Sequence, residues 1–303
     1  MQNILPKFEN PSVYRFNVEA SKFTWFQTGG NIDVVFRPQN ISDLQYFLTN
    51  YTDKNTIKIL GSCSNVIIRD GGIRGVVIRL GGGFNYIKLI DDITIEIGAS
   101  TTDYNIAAFA CENGIGGLEF LASIPGSLGG NIRMNAGCYG SDISKILVNY
   151  EAIDLNGILY NFKKSDINFQ YRHNPQADNF IFTKAIIQGY KDTPENIAKK
   201  MSDIKIKREI SQPVKSNTGG STFVNPEGQK AWELIEKCGL RGLTLGGAQI
   251  SSQHCNFLLN TGKATSLEIE SLGEIIRATV LKQFGINLQW EIERYGSFKN
   301  SST

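Results

Sequence analysis

Histidine is nearly absent from this chain, with two in 303 residues, and the five cysteines are odd in number and form no C-x-x-C pair. Neither set has metal-site spacing, so no zinc framework and no metal is expected. The thiols read as reduced packing groups, which suits a cytoplasmic setting better than a disulfide-stapled secreted one. No apolar run approaches the ~18 residues of a membrane span. Residues 1–22 carry Asn, Glu and Pro without an apolar core, so they do not read as a secretory signal. An excess of one charge is missing too: 31 basic against 29 acidic residues give +2. With no basic block, neither nucleic acid nor an acidic membrane surface is expected as a partner. There is no internal repeat and no low-complexity tract. What remains, 41% hydrophobic and 20% charged, is the composition of an ordinary soluble globular protein long enough for two or three lobes.

Glycine, by contrast, is concentrated. The stretch 124–140, IPGSLGGNIRMNAGCYG, has glycine at five of its seventeen positions. Glycine tolerates positive φ and lets another molecule approach the backbone closely. Ser127 stands where it could cap a short helix, leaving N–H groups aimed at an anion. The segment matches neither the dinucleotide fingerprint G-x-G-x-x-G nor the P-loop pattern, so neither mechanism follows. A second cradle lies upstream, where Gly61, Ser62, Cys63, Ser64 and Asn65 separate two apolar runs; such a loop can present successive N–H groups to a diphosphate. A connecting turn is the plainer reading of either loop alone. Two of them before residue 140 suggest one elongated phosphate-bearing ligand.

The rest of the chain reads as mixed α and β. An irregular lead-in over 1–22 precedes a strand at 33–37, a helix at 41–51 with Leu44, Phe47 and Leu48 on one face, and a strand at 56–60. Closely spaced strands follow at 76–80, 86–90 and 93–98, then a helix at 102–113 stopped by Gly114. A hairpin, 148–154 with 158–162, turns through Asn156-Gly157. A further strand covers Phe180–Gln188, and Pro194 opens a polar connector helix to about residue 210. Beyond Pro213 helices are expected at 229–238 and 265–284, the second with a capping box (Thr265, Glu268) and a stripe of Ile269, Leu272, Ile276, Val280 and Phe284. The tail after Gly296 reads as frayed.

Several landmarks occur together and in order: TGG at 28–30, GSCSN followed by RDGGIRGVVI, IPGSLGG with MNAG, Tyr171-Arg172, GGSTFVNP at 219–226, and an acidic pair around Glu291. In these the chain resembles the UDP-N-acetylenolpyruvoylglucosamine reductases, flavoproteins of peptidoglycan synthesis called MurB. The connection after residue 190 is too short for the inserted substrate-closing loop of one form of that family, so the chain resembles the shorter form. The resemblance implies an α+β architecture: a two-lobed FAD-binding domain of the vanillyl-alcohol-oxidase/PCMH type and a C-terminal α+β substrate-binding domain. The implied segments are 1–72 and 73–212 for the two lobes and 213–303 for the substrate domain. It also implies FAD and NADPH as cofactors and a nucleotide-sugar substrate, in a monomer or weak oligomer. The FAD contacts it implies are Gly61, Ser62, Cys63, Ser64, Asn65, Ile124, Pro125, Gly126, Ser127, Gly130, Asn135 and Gly137. No histidine precedes His173, so no N-terminal histidyl–flavin link can form; Cys63 could serve as a thioether anchor but reads better as a packed or loop thiol, and the FAD is expected to be non-covalent.

Reducing an enolpyruvyl ether takes a hydride at one alkene carbon and a proton at its neighbour, while negative charge gathers toward the carboxylate. No side chain stores hydride, so a cofactor is obligatory. The resemblance makes Ser221 the acid, although a hydroxyl after Gly219-Gly220 could equally be a turn residue. Arg172 would clamp the carboxylate, against the plainer fate of a surface ion pair. Glu291 would complete the catalytic set through a raised pKa or a pair with Arg172, with Glu293 as its rival. Tyr171 and Asn225 would bind substrate. Val224 stands where the family commonly has lysine, and Gln289 and Trp290 also depart from the family's pattern. His254 reads as structural. Two other functions stay open on sequence alone: a flavin oxidase or dehydrogenase of the same broad fold, and a non-catalytic nucleotide-sugar sensor.

Overall fold

In the computed structural model, which describes residues 4–299, the chain forms two compact units, each discontinuous in sequence. One takes in Met1–Arg15, Val35–Ser62 and Gly75–Lys207; the other takes in Phe16–Val34, Cys63–Arg74 and Arg208–Thr303. A four-stranded sheet runs in the order Tyr14–Glu19, Asn31–Phe36, Ile73–Ile78, Ile57–Ile59.

The first unit is built on a five-stranded antiparallel sheet in the order Leu159–Lys163, Leu147–Asp154, Phe180–Gln188, Thr94–Gly98, Ile87–Leu89. Its hairpin turns at Gly157, whose φ of +86° suits glycine. The Asp154 carboxylate there accepts from the N–H groups of Asn156 and Ile158, both at 2.9 Å. Helix Asp103–Glu112 begins at its cap Thr102 and stops before Gly114, which takes φ +67°. Together with helix Leu128–Met134 it buries Ile106, Leu128 and Ile132 in one core with Ile95, Ile97, Tyr150 and Ile187. In the same unit helix Ile41–Asn50 is capped by Asn40 and buries Leu44, Phe47 and Leu48. Phe36 stacks on Phe47 at 4.2 Å, and strand Ile57–Ile59 pairs in parallel with Val76, Val77 and Ile78.

The second unit packs helix Ser266–Phe284 and helix Ala231–Lys237 with an antiparallel sheet of Thr244–Leu245, Ala248–Ile250 and Leu258–Asn260. The long helix has the full Thr265/Glu268 capping box and ends at Gly285, φ +70°. Its stripe Ile269, Leu272, Ile276 and Val280 is fully buried. Strand Glu293–Tyr295 pairs in parallel with Val66–Ile68.

Two expectations are corrected. The lead-in contains a strand, Tyr14–Glu19, rather than irregular chain alone; being an edge strand with both faces partly exposed, it lacks the alternation that marks a strand in sequence. The tail is anchored past Gly296. Ser297 donates to the Gly72 carbonyl and accepts from the Gly71 N–H, and the Arg69 guanidinium lies 4.5 Å from the Phe298 ring centroid. Residues 1–3 of the expected lead-in and 300–303 of the tail lie outside the described residues.

Candidate active site

A cavity of about 340 Å³ opens in the first unit, within the range that small-molecule sites occupy. Four of the residues expected to contact a dinucleotide line it: Gly61, Ser62, Ser127 and Gly130. Gly81, Gly82, Ser100 and Gly129 join them, with Phe180, Ile181 and Phe182 contributed by the long strand. A Cβ built on Gly82 or Gly130 would meet no atom of the described residues within 4 Å, so it would project into open space. One built on Gly61 would meet only the Ser127 hydroxyl, at 3.2 Å. The wall is therefore a cradle that side chains would fill and glycine leaves clear. That fits a ligand whose phosphates approach backbone closely.

The sequence reading missed three arginines on this wall: Arg37, Arg79 and Arg133. Arg37 and Arg79 each directly follow the strands Asn31–Phe36 and Ile73–Ile78, and the Arg79 N–H donates to the Phe36 carbonyl at 2.9 Å. The available signal was a basic residue just after each of two strands, FR and IR. Partial desolvation, then the charges of Arg79 and Arg15, hold Arg37 below the ordinary guanidinium range. Arg133 is braced by the Ala177 carbonyl and by the Asp178 carboxylate, the latter at 2.8 Å.

The glycine-rich segment 124–140 behaves differently from the expectation. Ser127 occupies the N-cap position but makes no side-chain capping bond. Two early N–H groups of the helix are already committed, Leu128 to the Thr101 carbonyl and Gly129 to the Ala99 carbonyl. The helix therefore does not offer its full set of donors to an anion, because it is docked onto the chain at 99–101. Ile124 packs against the core, and the Gly126 carbonyl accepts from the Asp103 N–H. Asn135, buried and left-handed at φ +44°, donates to the Gln170 carbonyl and accepts from the Ser144 N–H. It thereby braces the turn that carries Tyr171 and Arg172. That turn is closed by the reciprocal Gln170–His173 backbone pair. Arg172, at φ +57°, donates to the Gly137 carbonyl at 2.8 Å and lies over the Tyr171 ring at 5.2 Å.

Ser221 and Glu291 belong to the second unit, where a short ladder brings their backbones together. Phe223 is bridged to Trp290, the Glu291 N–H donates to the Thr222 carbonyl, and the Val224 N–H donates to the Gln289 carbonyl. This register sets Glu291 opposite Thr222, the neighbour of Ser221. Asn65 holds the other side: its side-chain amide donates to the Glu291 carbonyl at 2.9 Å, and its own carbonyl accepts from the Glu293 N–H. The Cys63 carbonyl accepts from the Trp25 N–H. Cys63, Ser64 and Asn65 thus lie in a different unit from Gly61 and Ser62. Asn225 accepts from the Ala231 N–H, fixing the start of helix Ala231–Lys237. His254 packs edge-on to Phe257, and burial, with Arg241 adding to it, holds its imidazole below the ordinary range. The Cys255 thiol is pushed up to about 12 by burial and then Glu236. Both act as packing groups.

Two family models match the chain. The first, an FAD binding domain, covers residues 32–163 and so includes the whole cavity wall except Phe180, Ile181 and Phe182. The second, UDP-N-acetylenolpyruvoylglucosamine reductase, C-terminal domain, covers 212–295 and includes Ser221, Asn225 and Glu291. The UDP-N-acetylenolpyruvoylglucosamine reductase of Rickettsia conorii (strain ATCC VR-613 / Malish 7) is 47% identical over 283 residues, covering 93% of this chain and 96% of the relative. The chain belongs to the UDP-N-acetylenolpyruvoylglucosamine reductase family. The reductase of Rickettsia prowazekii (strain Madrid E) is 46% identical over 94% of this chain and 96% of its own length. Among solved structures, the UDP-N-acetylenolpyruvylglucosamine reductase (MurB) of Thermus caldophilus superposes with a TM-score of 0.80 at 28% identity, covering 92% of this chain and 98% of that one. The family makes this protein an FAD-dependent oxidoreductase of peptidoglycan synthesis, with an α+β FAD-binding domain followed by the family's C-terminal domain. No helix among the described residues is long and apolar enough to cross a membrane.

Proposed function

We propose that this protein reduces UDP-N-acetylglucosamine enolpyruvate to UDP-N-acetylmuramate in the cytoplasm, with NADPH as the electron source. Bound FAD supplies the hydride for one alkene carbon. The residues that would hold it are Gly61, Ser62, Ser127 and Gly130 of the cavity wall, through backbone approach that bulkier residues would block. Residues 1–72 and 73–212 serve the flavin in this reading, and 213–303 serve the nucleotide sugar. Ser221 gives its proton to the carbon beside the hydride-accepting one. Arg172 faces the carboxylate on which charge accumulates, its fork oriented by the Gly137 carbonyl and the Tyr171 ring. Glu291 assists at the same centre, and Tyr171 and Asn225 contact the substrate.

The observation that carries the reading is the short ladder of 222–224 with 289–291. It holds Ser221 beside the Glu291 segment although some seventy residues separate them, inside the family's own C-terminal domain. The test is an anaerobic titration followed through the flavin's visible band. NADPH should bleach it, and the enolpyruvyl nucleotide should restore it. Ser221→Ala should keep the flavin and the bleaching but slow the restoration ~10²–10⁴-fold, the range for losing a positioned acid. Restoration at the wild-type rate would remove Ser221 from this role, and a band that NADPH leaves unbleached would overturn the reaction itself.

A further inference from the structure

The segment 221–224 is tied to residues 289–291 by two main-chain bonds, Glu291 N–H to the Thr222 carbonyl and Val224 N–H to the Gln289 carbonyl, both at 2.9 Å. Three further main-chain groups of the segment go to one residue, Asn256, which stands in for a strand. Its carbonyl accepts from the Thr222 N–H at 2.7 Å. Its side-chain Oδ1 accepts from the Phe223 N–H at 3.0 Å, and its Nδ2 donates to the Phe223 carbonyl at 2.8 Å. Ser221 itself is bridged to the next residue, Phe257. Phe223 is 1% exposed and Asn256 4%, so bulk water does not replace these bonds once they are lost. Upstream of Ser221 stands Gly220 at φ +83°, where a Cβ would meet no atom of the described residues within 4 Å. The fixed side of Ser221 is therefore the downstream one.

We propose that Asn256 is a positioning residue for the proton transfer assigned to Ser221. The proposal rests on the reading that Ser221 is the acid, and it goes further by naming what holds that acid in register. A side-chain amide carries a donor and an acceptor in one plane, as a peptide unit does, so it closes both main-chain groups of Phe223 at once and adds no net charge. Asn256 is itself held in a turn. Its N–H donates to His254 Nδ1 at 3.3 Å, and the Phe257 N–H donates to the His254 carbonyl at 3.0 Å. A proton donor acts only within hydrogen-bond reach of the atom it serves, and misplacement by about an ångström costs ~10²-fold. With the Asn256 side chain truncated, Phe223 loses two partners and the main chain beside Ser221 relaxes. The loss then falls on the half-reaction that uses Ser221 and spares the one that reduces the flavin.

The test uses the flavin-loaded enzyme under anaerobic conditions and reads the two half-reactions separately. Asn256→Ala should keep the flavin and its bleaching by NADPH. Restoration by the enolpyruvyl nucleotide should slow roughly 10- to 100-fold, in the limiting rate at saturating nucleotide rather than in the concentration for half-saturation. Asn256→Asp, which keeps the size and the acceptor for the Phe223 N–H, should fall between alanine and wild type. The decisive comparison is made in the Ser221→Ala background. There Asn256→Ala should change restoration by less than about twofold, because the acid it positions is gone. The same slowing in both backgrounds would overturn the proposal, since Asn256 would then act independently of Ser221. So would restoration at the wild-type rate in Asn256→Ala, or loss of flavin or of bleaching in both Asn256 variants, which marks general support of the fold. Ser221→Ala restoring at the wild-type rate defeats the reading beneath, whatever the Asn256 variants do, and removes the positioning role with it.

Discussion

Gly273 sits inside helix Ser266–Phe284, where replacing glycine by alanine ordinarily stabilises by about 1 kcal/mol. Here the opposite is expected. A Cβ at 273 would overlap the Trp290 ring at its Cη2 and Cζ2 atoms, far inside van der Waals contact. The indole is not free to yield. Its Nε1–H donates to Glu274 at 2.8 Å, the Arg294 guanidinium lies 4.6 Å from the ring centroid, and the Phe223 ring lies 5.1 Å away on the other chain segment. Overpacking of this kind costs about 1–3 kcal/mol, and losing the indole hydrogen bond adds about 1 kcal/mol. Set against the propensity gain, Gly273→Ala should destabilise by about 1–3 kcal/mol. Trp290 is bridged to Phe223, so the displaced ring also pulls on the ladder that holds Glu291 beside Thr222. Turnover should fall while flavin content stays at the wild-type level. The assay is denaturant unfolding of wild type, Gly273→Ala, Trp290→Phe and the double variant. The smaller ring should turn alanine at 273 from destabilising to neutral or better. If Gly273→Ala raises the unfolding midpoint in the wild-type background, the packing argument is wrong and position 273 is an ordinary helical site.

Two other perturbations read different parts of the fold. Burial pushes the Asp103 carboxyl well above the ordinary carboxylate range, against a hydrogen bond from Asn131 that pulls it down, and its Oδ2 is buried without a partner among the described residues. The folded protein thus holds a proton that the unfolded chain releases above about pH 4, so this group's contribution to stability declines as pH rises from there. Asp103→Asn, neutral throughout, should unfold at higher denaturant than wild type at neutral pH and lose the advantage in acid; a variant weaker than wild type at pH 7 contradicts this. Gly130→Ala adds a methyl that meets no atom of the described residues within 4 Å, so its unfolding midpoint should match or slightly exceed wild type while FAD affinity falls. Undiminished affinity in flavin titrations would mean that the ligand's path does not pass Gly130.

Periodic local signals were legible and were obeyed. Phe180–Gln188 reads as a strand because it is rich in apolar and β-branched residues, interrupted only by Lys184 before its last residue Gln188, and it forms over those same residues. Thr265 and Glu268 stand at capping-box spacing before an apolar stripe, and the cap and the buried stripe both form. Both depend only on neighbours in sequence. Tyr14–Glu19 shows the limit of that logic, because a half-exposed edge strand is defined by its partner rather than by its own alternation. The arginines at 37 and 79 were invisible for a related reason. Each is unremarkable alone, and only two strands that end side by side bring both to one cavity wall.

The loop 61–65 carries this furthest. In sequence it is a single run of small and polar residues, and a single role as a phosphate cradle is the natural reading. In the fold the run is divided between tasks. Gly61 and Ser62 line the cavity, where the absence of bulk matters. Asn65, three residues on, uses its amide to hold the carbonyl of Glu291 across a separation of 226 residues, and its own carbonyl to accept from the Glu293 N–H at the start of strand Glu293–Tyr295. A side-chain donor and a backbone acceptor of one residue, both engaging main chain, fix the position of this segment without contributing charge. Composition identifies such a loop as special, but the division between its first and last residues follows from a contact that no window on the sequence spans. The same long-range closure explains why Ser221 and Glu291, each ambiguous in its own neighbourhood, become one candidate site only when the ladder of 222–224 with 289–291 is in place.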